Sequence, residues 1–110
     1  MSNEFAEEFV ELAADKFKKE DYEGAIADFN KAIEIDPNNS YTYRQRGFAK
    51  AQLGDLHGAI ADFNKALDIK PKDADVYTDR GFAKAQSGDL QGAIADFNKA
   101  LNINPKDADA

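Results

Sequence analysis

The stretch Gly24-Ala25-Ile26-Ala27-Asp28-Phe29-Asn30-Lys31-Ala32 recurs unchanged at Gly58 to Ala66 and at Gly92 to Ala100, each copy 34 residues beyond the last. A fixed period of this length means one supersecondary unit stacked on itself, each copy burying its apolar face mainly against its neighbours. With Pro37, Pro71 and Pro105 as matching marks, the units run 6–39, 40–73 and 74–107, and the chain 1–110 reads as one domain. Residues 108–110, Ala-Asp-Ala, repeat in type the opening Ala74-Asp75-Val76 and read as the start of a fourth unit cut short. Units two and three are near-copies, whereas unit one matches them almost only in its latter half. The first half of each unit is therefore where a varied surface would lie.

Ala59, Ile60, Phe63, Ala66 and Leu67 fall one, four, seven and eight residues apart from the first, which lays one apolar stripe along a helix. A strand would alternate. Tyr43, Gly47, Ala51 and Gly54, spaced by three or four, define another helix just upstream. Gly54 and Gly88 suit the left-handed residue that ends it, and Asp55 and Asp89 suit the cap that starts the next. Glu20 replaces that glycine in unit one, which predicts a strained or open turn. The prolines stop each second helix, and Asn39, Ser40 or Asp73 can cap the helix that follows. Six antiparallel helices are expected near 4–19, 23–35, 40–53, 57–69, 74–87 and 91–103.

Small residues at Gly47, Ala59 and Ala66 leave room for close helix approach, and Tyr43 and Phe63 fill the space between. The set Tyr43, Gly47, Ala59, Phe63, Ala66 and Pro71, repeated as Tyr77, Gly81, Ala93, Phe97, Ala100 and Pro105, resembles the tetratricopeptide repeat over residues 6–107. Unit one departs with Phe9 and Ala13, which keep the size classes. The resemblance implies an all-α fold, a right-handed superhelical solenoid of three helix-turn-helix units. It also implies a concave face lined by each unit's first helix, on which peptides bind.

Composition narrows the possible functions. The net charge is -7 with a pI near 4.6. The lysines are scattered singly, so no basic stripe exists to neutralise nucleic-acid phosphates. Cysteine is absent, which removes disulfides, thiolate metal sites and a cysteine nucleophile. The opening Met-Ser-Asn-Glu-Phe-Ala-Glu-Glu is acidic and lacks a long apolar run, so it reads as neither signal peptide nor membrane span. The expectation is a soluble, cytoplasmic chain. Asn38-Asn39-Ser40 matches a glycosylation acceptor but reads as a helix-entry turn.

No catalytic constellation is present in the sequence. The only histidine, His57, has Glu23 and Gln91 as counterparts and reads as a solvated surface residue. Asp36, Asn38 and Ser40 begin like a calcium loop, but Tyr41 stands in the glycine place and no glutamate closes it. The expectation is a non-enzyme without cofactor or metal. Asp28, Asp62 and Asp96 recur once per unit, while Arg46 and Arg80 have Leu12 as their counterpart in unit one. An arginine occurs only where a preceding unit can supply an aspartate, which predicts inter-repeat ion pairs Asp28–Arg46 and Asp62–Arg80, with pairing inside the unit as the alternative.

By the family resemblance, the groove would be formed by Glu7, Val10, Glu11 and Ala14, by Tyr41, Arg44, Gln45, Phe48 and Gln52, and by Asp75, Thr78, Asp79, Phe82 and Gln86. Phe48 and Phe82 read either as fillers between units or as an aromatic floor for a ligand's apolar side chains. Some family members grip a chaperone's terminal carboxylate with lysines, asparagines and an arginine. Val10, Ala14, Gln45, Asp75 and Asp79 stand at those places here, so the clamp is absent and a basic or apolar partner is favoured over an acidic one. The leading reading is a protein-binding scaffold. The alternative is a self-associating structural or engineered array with no dedicated ligand. Ala93, Ile94, Phe97 and Leu101 repeat the core pattern at the last helix and predict an apolar end surface, through which copies would associate end to end or by swapping, with the Phe5 and Phe9 face of another copy as one candidate contact, or which would meet the missing repeats of a longer parent.

Overall fold

A computed structural model describes residues 4–104. Six helices follow one another: α1 (Glu4–Lys18), α2 (Tyr22–Ile35), α3 (Ser40–Gln52), α4 (Leu56–Ile69), α5 (Ala74–Gln86) and α6 (Leu90–Ile103), with no strand among the described residues. Each boundary falls within one residue of the sequence expectation. The anticipated fourth unit, 108–110, lies outside the described residues.

The punctuation works as its chemistry dictates. Asp21, Asp55 and Asp89 each accept a bond from the amide three residues on, at Gly24, Gly58 and Gly92, and so satisfy an orphan donor of α2, α4 and α6. Asn39 and Asp73 cap α3 and α5, while Ser40 is the first residue of α3 and is buried. Gly54 and Gly88 have φ of +87° and +96°, and the amides of Asp55 and Asp89 close back on the carbonyls of Lys50 and Lys84. Glu20 is forced into the same left-handed conformation at φ +61°. Its turn is strained but not open, since the Asp21 amide still reaches the Lys16 carbonyl at 2.8 Å.

Each unit is a tight hairpin. A Cβ on Gly47 would lie 2.9 Å from Phe63 Cε1, and one on Gly81 would lie 2.6 Å from Phe97 Cε1, so glycine sets how closely the paired helices approach. The main core joins units two and three: Tyr43, Ala59, Phe63, Ala66 and Leu67 pack with Val76 and Ala83 of α5. The tyrosines also tie helix to turn, Tyr43 Oη donating to the Pro37 carbonyl at 3.0 Å and Tyr77 Oη to that of Pro71 at 3.3 Å. Phe9 cannot make that bond.

The ion pairs differ from the expected inter-repeat pairs Asp28–Arg46 and Asp62–Arg80. Arg46 grips Asp62 of its own unit, Nε to Oδ2 at 2.8 Å and Nη2 to Oδ1 at 2.7 Å, and Arg80 does the same to Asp96. Lys50 and Lys84 add a second cation to the same carboxylates. The contact across units goes instead to an amide: Arg46 Nη1 donates to Asn30 Oδ1 at 2.8 Å, and Arg80 Nη1 to Asn64 Oδ1 at 2.7 Å. The planar guanidinium has donors on two edges, so one residue closes its own hairpin and docks it on the previous one. Asp28 pairs with Lys16 at 2.8 Å.

The end surface also needs one correction. Ala93 is buried inside the α5–α6 hairpin at 2 % exposure, so it is not part of that surface. Ile94, Leu101 and Leu90 are exposed, whereas Leu67, the counterpart of Leu101, is buried. Phe97 is half-buried where Phe29 and Phe63 are fully buried, because α3 and α5 cover α2 and α4 while no described helix covers α6.

Candidate functional site: a hollow between the first helices of units two and three

The first helices α3 and α5 approach one another directly, and the side chains they bring together define the groove. Arg44 Nε donates to Asp79 Oδ2 at 2.8 Å across this gap, and its Nη1 lies 3.9 Å from Asp75. One turn further along, a hollow of 360 Å³ opens. Buried Phe63 and Ala83 form its base, Phe48 and Phe82 its aromatic sides, and Gln52, Gln86 and Asp79 its polar rim. Of the residues singled out from sequence, Phe48, Gln52, Asp79, Phe82 and Gln86 converge here and Arg44 borders them. Tyr41 and Gln45 lie away from the hollow and bond each other, Gln45 Nε2 donating to Tyr41 Oη at 3.1 Å. Thr78 spends its hydroxyl on the Ala74 carbonyl within its own helix.

Phe48 and Phe82 differ in what they pack against. Phe48 leans on Phe17 of unit one, with ring centroids 5.5 Å apart, and so fills space between units. Phe82 touches Phe97 edge-on at 5.1 Å and stays 60 % exposed. The cause is one substitution between copies. Residue 51 is the counterpart of 17, and Ala51 stands where Phe17 would wedge against the aromatic of the next unit. The space that Phe17 occupies between units one and two is thus left open between units two and three, and Ala51 lines the hollow. Sequence reasoning missed Ala51, although aligning Phe17, Ala51 and Ala85 contains the signal.

The hollow's electrostatics are acidic. Burial pushes the Asp79 carboxyl above the ordinary carboxylate range against the pull of Arg44, and the charges of Asp75 and Asp73 add to that push. One arginine therefore faces Asp75 and Asp79 of α5 and Asp73 at its N-cap, and Asp75 remains largely solvent-exposed. A second hollow, of 430 Å³, lies where α1 meets the start of α3, with Glu7, Val10 and Glu11 on one side and Asn39 and Thr42 on the other. A hollow of 760 Å³ opens at the α4–α5 turn beside Ile103; Asp75 lines it, but none of the groove residues at positions 41–52 or 78–86 does.

These helices and their spacing agree with known proteins. A sequence model of the tetratricopeptide repeat family matches residues 12–78 and again 66–110, and the chain belongs to that family. Among solved structures, it is similar to the first tetratricopeptide domain of Spaghetti (RPAP3) bound to the HSP90 peptide SRMEEVD, at 26% identity and a TM-score of 0.91, covering 96% of this chain and 83% of that one. The tetratricopeptide domain of Arabidopsis OM64 is 28% identical with a TM-score of 0.92, over 94% of this chain and 86% of that one. MamA is 26% identical with a TM-score of 0.89; the match covers 99% of this chain, which spans 64% of MamA. No curated protein sequence matches the chain. Tetratricopeptide domains are protein–protein interaction modules, typically without catalytic activity. None of the described helices is long and apolar enough to cross a membrane.

Proposed function

We infer that the chain is a non-catalytic scaffold that binds a protein segment in its groove, seating an apolar side chain of that segment between Ala51 and Phe82. The observation that carries this reading is the hollow left where Ala51 replaces the Phe17 type of wedge, with a largely exposed phenylalanine beside it. A monomeric fold gains by covering such a ring, and a concave apolar site with a few polar groups at its rim is how peptide side chains are held. Gln52 and Gln86 can bond the ligand's backbone, since each amide both donates and accepts.

The acidity of α5 supports a basic or uncharged segment. A cation beside Asp79 would favour its ionised form, which burial now disfavours. The RPAP3 domain was solved with an acidic peptide. Here Asp75 and Asp79 occupy places where carboxylate-gripping relatives carry cationic or amide side chains, so SRMEEVD is expected not to bind.

Selection from a random peptide display library tests the proposal. Enrichment of sequences with a large apolar residue flanked by basic or neutral ones is expected. Ala51→Phe should abolish capture while leaving thermal stability unchanged or higher, because it fills the hollow as Phe17 fills its own. Failure to enrich any sequence, or enrichment untouched by Ala51→Phe, would contradict the groove reading.

A further inference from the structure

The hollow of 430 Å³ lies inside the stack, at the joint between units one and two, walled by α1, the end of α2 and the start of α3. We propose that, in the segment-binding groove inferred above, this hollow is the subsite for an arginine side chain of the ligand, a role that rests on that reading.

The next joint is built differently. Between units two and three the chain supplies its own arginine: Arg44 reaches from α3 to Asp79 at 2.8 Å and lies 3.9 Å from Asp75. Its counterpart in unit one is Val10, which lines the hollow and has neither the length nor the charge to do the same. The surrounding groups change with it. Glu7 and Glu11 stand where unit two has Tyr41 and Gln45, which bond each other, and Asp36 stands where it has Lys70. Glu7 and Glu11 both line the hollow, four residues apart on α1, a like-charge spacing that destabilises a helix. Neither has an ion pair among the described residues. A cation seated between them removes the repulsion.

Thr42 points to a ligand independently of the carboxylates. It is 1% exposed, lines the hollow and forms no side-chain hydrogen bond among the described residues. Its counterpart Val76 has the same shape without the hydroxyl and is equally buried. A hydroxyl placed where valine suffices for packing costs stability until something bonds it. Among the described residues, Asp28 Oδ2 is the one sealed side-chain atom without a hydrogen bond, so the Thr42 oxygen is not sealed and is reached from the hollow. A guanidinium suits these groups. Its planar fork matches a carboxylate and its remaining N–H can donate to the hydroxyl, much as Arg46 divides its donors between Asp62 and Asn30. Its stem would lie along Val10 and Ala32. A lysine ammonium lacks the fork. A metal ion fits less well, since no three acidic or histidine side chains among the described residues are placed to hold one.

The test is to follow the amide shifts of the isotope-labelled chain by two-dimensional NMR while N-acetyl-arginine amide is added at about 0.15 M salt. Saturable shifts centred on Glu7, Glu11 and Thr42 are expected, with the uncharged N-acetyl-norleucine amide binding about tenfold more weakly. Glu7→Gln with Glu11→Gln should weaken the arginine amide about tenfold, and Thr42→Val about threefold with an unchanged helical circular-dichroism spectrum. Glu23→Gln with Glu34→Gln, which removes the same charge from exposed positions of α2, should leave binding as it is. Shifts that do not saturate, that centre elsewhere, or that persist in the Glu7 and Glu11 double variant would overturn the subsite. Peptide selection judges the groove reading separately. Probe binding with no peptide enriched upholds the subsite and sinks the groove, whereas enriched peptides whose capture ignores Glu7→Gln with Glu11→Gln do the reverse.

Discussion

Arg46 follows Asn30 by sixteen residues and precedes Asp62 by sixteen, and it bonds both. The guanidinium's two edges divide the work: the bidentate grip on the aspartate closes a hairpin, and the remaining donor docks that hairpin on its predecessor. Replacing Arg46 with Leu leaves Asp62 partly unpaired and should cost about 2 kcal/mol. A double-mutant cycle between Arg46 and Asp62 should return a coupling of that order, whereas the Arg46–Asp28 cycle should return nearly none. Denaturant titration of the four proteins in each cycle measures both. The sequence could pair the arginine with either unit's aspartate, because spacing alone does not say which edge of a planar group faces which helix. It did contain the discriminating clue, since Asn30 and Asn64 recur as faithfully as the aspartates.

Two aspartates of α5 and α6 should respond to pH with opposite sign. Burial raises the Asp96 carboxyl, but Arg80 and Lys84 outweigh it and hold its pKa below the ordinary value. Its stabilisation is present above the unfolded carboxylate pKa, about 4, and is lost as pH falls through the lower folded value. Asp79, whose pKa is raised, contributes in the other direction: its ionised form is disfavoured by folding, and acidification relieves that. Asp96→Asn should therefore destabilise at neutral pH with a deficit that closes on acidification. Asp79→Asn should match or exceed wild type at neutral pH and lose that margin in acid. Chemical denaturation from pH 7 downward would show whether the two differences have these signs.

At the scale of elements, the helices were legible because period, cap and stop all agree at each boundary. The one conflict is Glu20, held at φ +61° where the later units place glycine. Glu20→Gly should raise the unfolding free energy by about 1 kcal/mol, and Gly88→Ala should lower it by a similar amount, as read from thermal unfolding. The hollow was harder to see. Its aromatic sides and polar rim were named from the sequence, but its existence depends on the absence of a side chain at Ala51. A vacancy leaves no periodic signal. It emerges only when units are compared position by position with the packing in view, as for Phe17 against Phe48.

The six helices together span 38 × 30 × 24 Å. The first helix exposes Glu8 and Asp15, and the last helix exposes Leu90, Ile94 and Leu101. Between them, stacking builds a surface that no single unit possesses, since the hollow draws Phe48 and Phe63 from unit two and Phe82 and Ala83 from unit three. The hollow and the exposed residues of α6 lie apart, so one experiment can tell which of them a ligand meets. Amide chemical shifts should be followed by two-dimensional NMR while a display-selected peptide is titrated into the labelled chain. The groove account predicts shifts concentrated at Phe48, Ala51, Gln52, Asp79, Phe82 and Gln86, and none of comparable size along α6. Shifts confined to Leu90, Ile94 and Leu101, or scattered over the outer faces of α2 and α4, would contradict it.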